Sequence, residues 1–99
     1  MLVRSGDVLI SEHGYEELIE DGLTVKDVLG AINEAVVVEE YPNFSRGPCI
    51  LLLQKDGQSN PIHVVWGIRK GHDRPVILVT AYYPDPNKWD KTLKQRIKK

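Results

Sequence analysis

The sequence has little cysteine and no long hydrophobic run, and each absence excludes a class of protein. Cys49 is the only cysteine among 99 residues, so no disulfide can form within the chain. No segment approaches the ~20 consecutive apolar residues of a membrane-spanning helix, and the first residues lack the apolar stretch of a signal peptide. Because 41% of the residues are hydrophobic, the composition is that of a globular protein. We expect one domain, residues 1–99, in the cytoplasm and away from membranes.

Motifs for metal and nucleotide chemistry are also missing. His13, His63 and His72 lack the close spacing of zinc ligands. There is no glycine-rich phosphate loop and no Gly-x-Ser-x-Gly turn. We therefore expect no metal site and no cofactor. Cys49 opens the apolar run 49–53, which is typical of a buried and unreactive thiol.

Charge is distributed unevenly along the chain, although the net charge is only -1. Residues 1–40 contain ten carboxylates and two basic residues, a net charge of −8. Residues 41–99 contain eleven lysines and arginines and four aspartates, a net charge of +7. Such asymmetry is found where a surface meets phosphate or a charged partner. Two solvated helix faces would produce the same pattern, so both interpretations stay open.

Two short helices are predicted in the first third of the chain. Ser11 is a typical N-cap, because its hydroxyl can accept a free backbone N–H, and it precedes a helix over residues 12–21. Thr24, with Asp27 three residues later, forms a variant of the capping box. This box begins a second helix over residues 25–34.

Strands are predicted for the middle of the chain. Each run is mainly apolar and is bounded by turn-forming residues, and residues 35–41 are rich in valine. The dipeptide Asp56-Gly57 is a hairpin signal, and the short connections favour an antiparallel meander. Residues 8–10 can add a short edge strand. The four main runs are residues 35–41, 49–55, 62–68 and 76–82.

A third helix is predicted at the C-terminus. Trp89, Leu93 and Ile97 recur every four residues, which predicts an apolar helix face that packs on the sheet. Asp85 or Asn87 can cap this helix. The predicted fold class is therefore α+β, with two N-terminal helices, a four-stranded and mainly antiparallel sheet, and a C-terminal helix packed on that sheet.

Several short phrases in this order resemble the domain-of-unknown-function family 4258. They are Ser11-Glu12-His13, Gly22-Leu23-Thr24, Glu40-Tyr41-Pro42, His63-Val64-Val65, and Val79-Thr80-Ala81-Tyr82-Tyr83-Pro84-Asp85-Pro86 leading to Trp89. That family is usually grouped with the RelE/ParE-like toxins of bacterial toxin–antitoxin systems. The resemblance implies their fold and, by analogy of fold, a ribonuclease-like activity. Members often carry an arginine where this chain has Asp21, which reverses the charge at that position.

Cleavage of RNA through its 2′-hydroxyl needs a base, an acid and a cation at the phosphate. Histidine suits the first two roles, because its pKa of about 6.5 lies near the working pH. His13, at the start of the first helix, and His63, in the His-Val-Val phrase of the third strand, are the candidates. Tyr82 and Arg96 are the candidates for contact with the phosphate. Each histidine also has a structural interpretation, as a local helix-cap contact for His13 and as a core residue for His63.

Further basic residues are candidates for binding phosphate or RNA. They are Lys88, Lys91 and Arg69. The loop that contains Arg69, Lys70, His72 and Arg74 can equally be a solvated turn, and the lysines of the predicted C-terminal helix can simply line a solvated face.

Three functions remain open from the sequence. The first is a metal-independent endoribonuclease of the toxin type that acts on RNA or on the ribosome. The second is a non-catalytic domain that binds an antitoxin-like protein or a second copy of itself as a homodimer. Asp21 and the acidic first helices favour it, because an acidic face repels RNA and attracts a basic partner. The third is a toxin that binds gyrase without hydrolysis.

Overall fold

The computed structural model contains a five-stranded sheet with two short helices on one of its faces, and it describes residues 8–30, 32–71 and 76–97. No helix in these ranges is long and apolar enough to cross a membrane. The elements are β1 (Val8–Ile10), α1 (Glu12–Glu20), α2 (Val25–Gly30), a 3₁₀ turn (Ile32–Glu34), β2 (Val36–Tyr41), β3 (Cys49–Lys55), β4 (Pro61–Ile68) and β5 (Val76–Tyr82).

The sheet is mixed, with the strand order β1-β5-β4-β3-β2. Strands β2 to β5 form an antiparallel meander, while β1 pairs in parallel with β5, with Val8 opposite Val76. Because β1 and β2 lie at opposite edges, the two helices carry the chain from one edge of the sheet to the other.

The hydrophobic core lies between the helices and one face of the sheet. Successive side chains of a strand point to opposite faces, so Ile62, Val64 and Trp66 of β4 all point towards the helices. They pack with Leu18 of α1 and Val28 of α2, and all five residues are buried. Among the described residues, no helix packs on the opposite face of the sheet, which we call the helix-free face.

Helix α1 packs directly on β5 because its first turn is small and well capped. Ser11 Oγ accepts a hydrogen bond from Gly14 N at 2.9 Å and donates one to Val79 O at 3.3 Å. A Cβ atom at Gly14 would lie only 2.7 Å from Leu78 O, so a larger residue would push the helix off the strand. This packing holds the start of α1, and with it His13, beside β5.

Helix α2 begins with the predicted capping box. Thr24 N donates to Asp27 Oδ2 at 3.0 Å, and Asp27 N donates to Thr24 Oγ1 at 3.1 Å. Asp27 Oδ1 also accepts a hydrogen bond from Gly57 N at 3.0 Å, which ties α2 to the β3–β4 hairpin. The bonds from Thr24 lower the pKa of Asp27, so the carboxylate stays charged in this role.

The predicted fold class is wrong in two respects. The sheet has five strands rather than four, because residues 8–10 form a full member of it with parallel pairing. Residues 83–97, all of them described, contain turns and a single bridge between Trp89 and Arg96 but no helix. The second helix also ends at Gly30 rather than at residue 34.

The C-terminal segment, residues 84–97, forms a folded-back turn that we call the strap. Asp90 Oδ1 accepts hydrogen bonds from Thr92 N at 2.9 Å and from Thr92 Oγ1 at 2.6 Å, and Asp90 N donates to Gln95 O at 2.9 Å. Side chains such as aspartate and threonine compete with helix formation through local bonds of this kind. Leu93 has a φ of 61°, a left-handed conformation that an α-helix does not allow. The spacing of Trp89, Leu93 and Ile97 therefore does not produce a helix.

A buried glutamine joins the helical layer to the sheet. Gln54 Nε2 donates to Val28 O at 2.7 Å, and Gln54 Oε1 accepts from Trp66 Nε1 at 3.1 Å. We predict that Gln54→Leu lowers the free energy of unfolding by roughly 2–4 kcal/mol, because it leaves a buried N–H and a buried carbonyl without partners. Urea denaturation measures this change. The exposed Gln58 provides the matched control: Gln58→Leu should change stability by less than about 0.5 kcal/mol, and equal losses in both variants would contradict the prediction.

Candidate functional site

The helix-free face of the sheet divides into a covered part and an open part. His63, Val65 and Gly67 of β4 all point to this face, because they alternate with the core residues. The strap covers the sheet near His63, while the sheet near Gly67 forms the floor of an open cleft. His63 and Gly67 are four residues apart on one strand, which separates them by about 13 Å.

Under the strap, His63 is fully buried and both of its ring nitrogens have partners. Nε2 lies 2.7 Å from Leu93 O, and Nδ1 lies 3.3 Å from Tyr82 Oη. A carbonyl can only accept, so Nε2 carries the proton and Nδ1 accepts from the tyrosine. The Trp89 ring packs edge-on against the imidazole at 4.4 Å between centroids. In this conformation the ring supports the strap and is closed to solvent.

Arg96 fixes the far side of the strap to the sheet. Its Nε and Nη2 atoms donate to the two carboxylate oxygens of Glu39 at 3.1 Å and 3.0 Å, a bidentate geometry. The guanidinium also lies 4.6 Å from the centroid of Trp89, and the Tyr41 hydroxyl donates to Glu39. The hydrogen bond from Arg96 lowers the pKa of Glu39. Arg96 is therefore already bound to a carboxylate of its own chain.

The open part of the face is a cleft of about 380 Å³. Its floor is apolar and includes Cys49, Ile77 and Val79. Burial raises the pKa of the Cys49 thiol, which keeps it protonated. The cleft is lined by Ser11, His13, Phe44, Arg46, Gly47, Cys49, Gly67, Ile68, Arg69, Ile77 and Val79.

The loop between β2 and β3 forms one wall of the cleft. Lys70 N donates to Arg46 O at 3.1 Å, and Ile68 N donates to Pro48 O at 3.1 Å. Gly47 has a φ of 131°, and a Cβ there would lie 2.0 Å from Ile68 O, so only glycine fits. The loop therefore holds Arg46 beside the end of β4, where Arg69 follows.

The rim of the cleft carries positive charge and an accessible imidazole. Within the described part of the chain, neither Arg46 nor Arg69 forms an ion pair with a carboxylate. His13 has 69% of its side chain exposed, and its Nε2 lies 3.1 Å from Glu17 Oε1. Its Nδ1 has no hydrogen-bond partner among the described residues. Phe44, the only phenylalanine of the chain, is 53% exposed at the same rim.

The structure brings the predicted site residues together in two separate groups. His63, Tyr82 and Arg96 lie under or within the strap, whereas His13 and Arg69 lie at the cleft. A base and an acid must reach the same substrate, and here the strap seals one imidazole while the other lines the cleft. Lys88 and Lys91 are exposed on the strap. Of the predicted basic loop, His72 and Arg74 lie outside the described residues.

Arg46, Phe44, Glu39 and Tyr41 are not among the site residues that the sequence predicts. Phe44 and Arg46 lie between two of the predicted strands. A lone phenylalanine in a loop rich in proline and glycine is a usable signal, because an aromatic ring there is not needed for the strand pattern. The pairing of Glu39 with Arg96 has no local signal, since 57 positions separate the two residues.

Asp21 has a structural role in this chain. Its Oδ2 accepts a hydrogen bond from Tyr83 N at 3.0 Å, at the point where β5 ends and the strap approaches. The Tyr83 hydroxyl donates to Asp56 Oδ2 at 2.6 Å, and this bond lowers the pKa of Asp56 to about 2. Asp21 therefore anchors the end of β5 to the end of α1.

We predict that His63 makes the stability of the protein depend on pH. Burial lowers the pKa of His63 below its ordinary value of 6.5, so the unfolded chain takes up this proton first as the pH falls. The neutral ring makes its full contribution to the free energy of unfolding above about pH 6.5. This contribution is lost as the pH falls towards the pKa of His63 in the folded protein. Urea denaturation between about pH 7.5 and about pH 5.5 should show wild type losing more stability than His63→Gln.

His13→Gln is the matched control for this measurement, since it removes an exposed imidazole instead of a buried one. We expect His13→Gln to keep the wild-type loss of stability on acidification. A constant stability difference between wild type and His63→Gln across this range would contradict the assignment.

Comparison with known proteins identifies the family but no function. Among curated proteins and among solved structures, no match to the chain was found, so the grouping with RelE/ParE-like toxins stays a prediction. The sequence model of one family, described as a domain of unknown function (DUF4258), matches residues 10–83. Because this match covers most of the chain, the protein belongs to the DUF4258 family.

Proposed function

We propose that this domain binds single-stranded RNA in the open cleft of the helix-free face. One observation carries the proposal: two arginines without described carboxylate partners and an accessible imidazole surround one apolar-floored cleft. Guanidinium groups bind phosphate oxygens in a bidentate manner, and such contacts dominate the affinity of proteins for nucleic acids.

The remaining lining of the cleft suits an unpaired base. Phe44 is exposed at the rim, and aromatic side chains on which bases stack are the common feature of single-strand binding sites. The cleft volume of about 380 Å³ is within the range of small-molecule sites. A base on Phe44, with the adjoining phosphate between Arg46 and Arg69, uses the apolar and the charged parts of the cleft together.

The charge of the cleft is tested by removing its two arginines. We predict that Arg46→Gln/Arg69→Gln weakens the binding of a fluorescein-labelled RNA of about ten nucleotides at least about tenfold. The slope of log K against the logarithm of the salt concentration should also become smaller in magnitude by about 0.7 for each lost phosphate contact. Fluorescence anisotropy at several salt concentrations measures both quantities.

The matched control is Lys88→Gln/Lys91→Gln, which removes the same charge from the strap. We expect it to change the affinity less than about threefold, since distant charges are screened at ordinary salt. If both double variants weaken binding equally, the attraction is a general effect of charge and the cleft is not the site.

The imidazole at the rim predicts a preference for RNA over DNA. His13 is accessible beside the proposed phosphate position. There it can form a hydrogen bond with a 2′-hydroxyl, the group that distinguishes RNA from DNA. RNA should bind several-fold more tightly than DNA of the same sequence, and His13→Ala should remove most of this difference. Equal affinity of wild type for both strands would contradict a role for His13 in recognition.

A toxin-type ribonuclease is the second candidate, favoured by the contact of 3.1 Å between His13 Nε2 and Glu17. A carboxylate that holds one ring nitrogen leaves the other oriented to act as a general base. Incubation of RNA with the purified protein tests for fragments that end in a cyclic phosphate. If this candidate is correct, wild type and His63→Ala cleave the RNA and His13→Ala does not. If the RNA stays intact with wild type and with both variants, the protein is not a ribonuclease of this kind.

A further inference from the structure

The strap is bound to the sheet as a peptide ligand would be. We call the surface that receives it the strap site, formed by Glu39, Tyr41, His63 and Tyr82. Glu39 and Tyr41 reach the helix-free face from β2, His63 from β4 and Tyr82 from β5. His63 and Glu39 bond directly to the strap, whereas Tyr82 bonds to His63 and Tyr41 bonds to Glu39. The strap itself lacks a helix or a strand of its own.

Three interactions account for the recognition of the strap. The indole of Trp89 packs against the imidazole of His63, and Trp89 is only 4% exposed. The Leu93 carbonyl accepts from His63 Nε2 at 2.7 Å. The guanidinium of Arg96 forms the bidentate pair with Glu39. Separate groups of the strap site therefore contact an aromatic ring, a backbone carbonyl and an arginine of the strap.

Few buried contacts stabilise the strap in this conformation. Trp89 is its only buried residue, and all of its residues are described. Leu93 is held at a φ of 61°, and a left-handed conformation is unfavourable for a residue with a side chain. Elements with one buried anchor and many exposed backbone bonds open at lower free energy than the core.

The strap site and the strap also differ in their relation to the family. The match to the DUF4258 family covers residues 10–83, which include all four residues of the strap site. The strap begins at residue 84, just beyond this match. The matched region therefore contains the whole receiving surface, while of the strap only Pro84-Asp85-Pro86 and Trp89 belong to the phrases that resemble the family.

We propose that the strap site is a peptide-binding site that the strap occupies in cis, and that its partner is a protein segment carrying an aromatic residue and, seven positions later, an arginine. Glu39, which accepts a hydrogen bond from Tyr41, selects the guanidinium, and the imidazole of His63 selects the ring. Such a segment competes with a tethered strap whose effective concentration is on the order of 1 mM. The proposal is independent of RNA binding, since the strap site shares no side chain with the lining of the cleft.

The experiment uses the full chain with its own strap disabled. Trp89→Ala/Arg96→Ala removes two anchors of the strap and leaves every residue of the strap site in place. The probe is a fluorescein-labelled synthetic peptide with the sequence of residues 84–97, and fluorescence anisotropy measures its binding. The disabled variant should bind the peptide saturably and at least about tenfold more tightly than wild type, in which the strap occupies the site.

A double-mutant cycle tests the recognition of arginine. Replacing Arg96 by Gln in the peptide, or Glu39 by Gln in the disabled variant, should each weaken binding at least about fivefold, and the two losses should not add. A folded disabled variant that does not bind the peptide, or additive losses in the cycle, would overturn the proposal.

A single substitution covers the case in which the disabled variant does not fold. Arg96→Gln retains Trp89 and should raise the rate at which diethyl pyrocarbonate modifies His63 at least about fivefold, because a loosened strap opens more often. Mass spectrometry reads this rate, and the exposed His13 in the same sample serves as the internal standard. Equal His63 rates in wild type and Arg96→Gln would show that Arg96 does not hold the strap on its site, which overturns the proposal.

Discussion

The two hydrogen bonds of the His63 ring determine how the helix-free face of the sheet is divided. A neutral imidazole has one donor and one acceptor, and here Leu93 O and Tyr82 Oη use both. A buried imidazole with a missing partner would be costly, so the ring and the strap stabilise each other. As long as the strap is closed, His63 acts as a structural residue. The accessible imidazole among the described residues is then His13, beside arginines that lack described partners.

The two faces of the sheet follow from the alternation of side chains along each strand. On β4, Ile62, Val64 and Trp66 pack on the helices, while His63, Val65 and Gly67 point the other way. The short α1 and α2 cover only one face, so the other must be covered by connecting segments. The β2–β3 loop reaches one end of it and the strap reaches the other. RNA binding and peptide binding are proposed for these two ends, and of the helices only the first turn of α1, through His13, contributes to either site.

Local patterns in the sequence explain most of the elements but few of the contacts. The strands 49–55 and 76–82 begin and end where apolar runs meet proline, glycine and aspartate, and the Ser11 cap and the Thr24–Asp27 capping box lie where predicted. The parallel pairing of β1 has no local signal, because it depends on where the helices return the chain. The spacing of Trp89, Leu93 and Ile97 is compatible with a helix, yet Asp90 and Thr92 close a turn instead. Alternation places His63 on the correct face but cannot show which segment covers it.

The uneven charge of the chain is partly neutralised within the fold. Arg96, from the basic part, binds Glu39 from the acidic part, and Asp21 accepts from the backbone of Tyr83. These contacts use charges that sequence reasoning assigned to RNA or to a partner. Arg46 and Arg69 differ, since no described carboxylate neutralises them and the floor beside them is apolar. Arg46 and Arg69 line the same cleft, whereas Lys88 and Lys91 lie exposed on the strap. The distribution of the charges that have no described partner, rather than the total charge, is what points to the cleft.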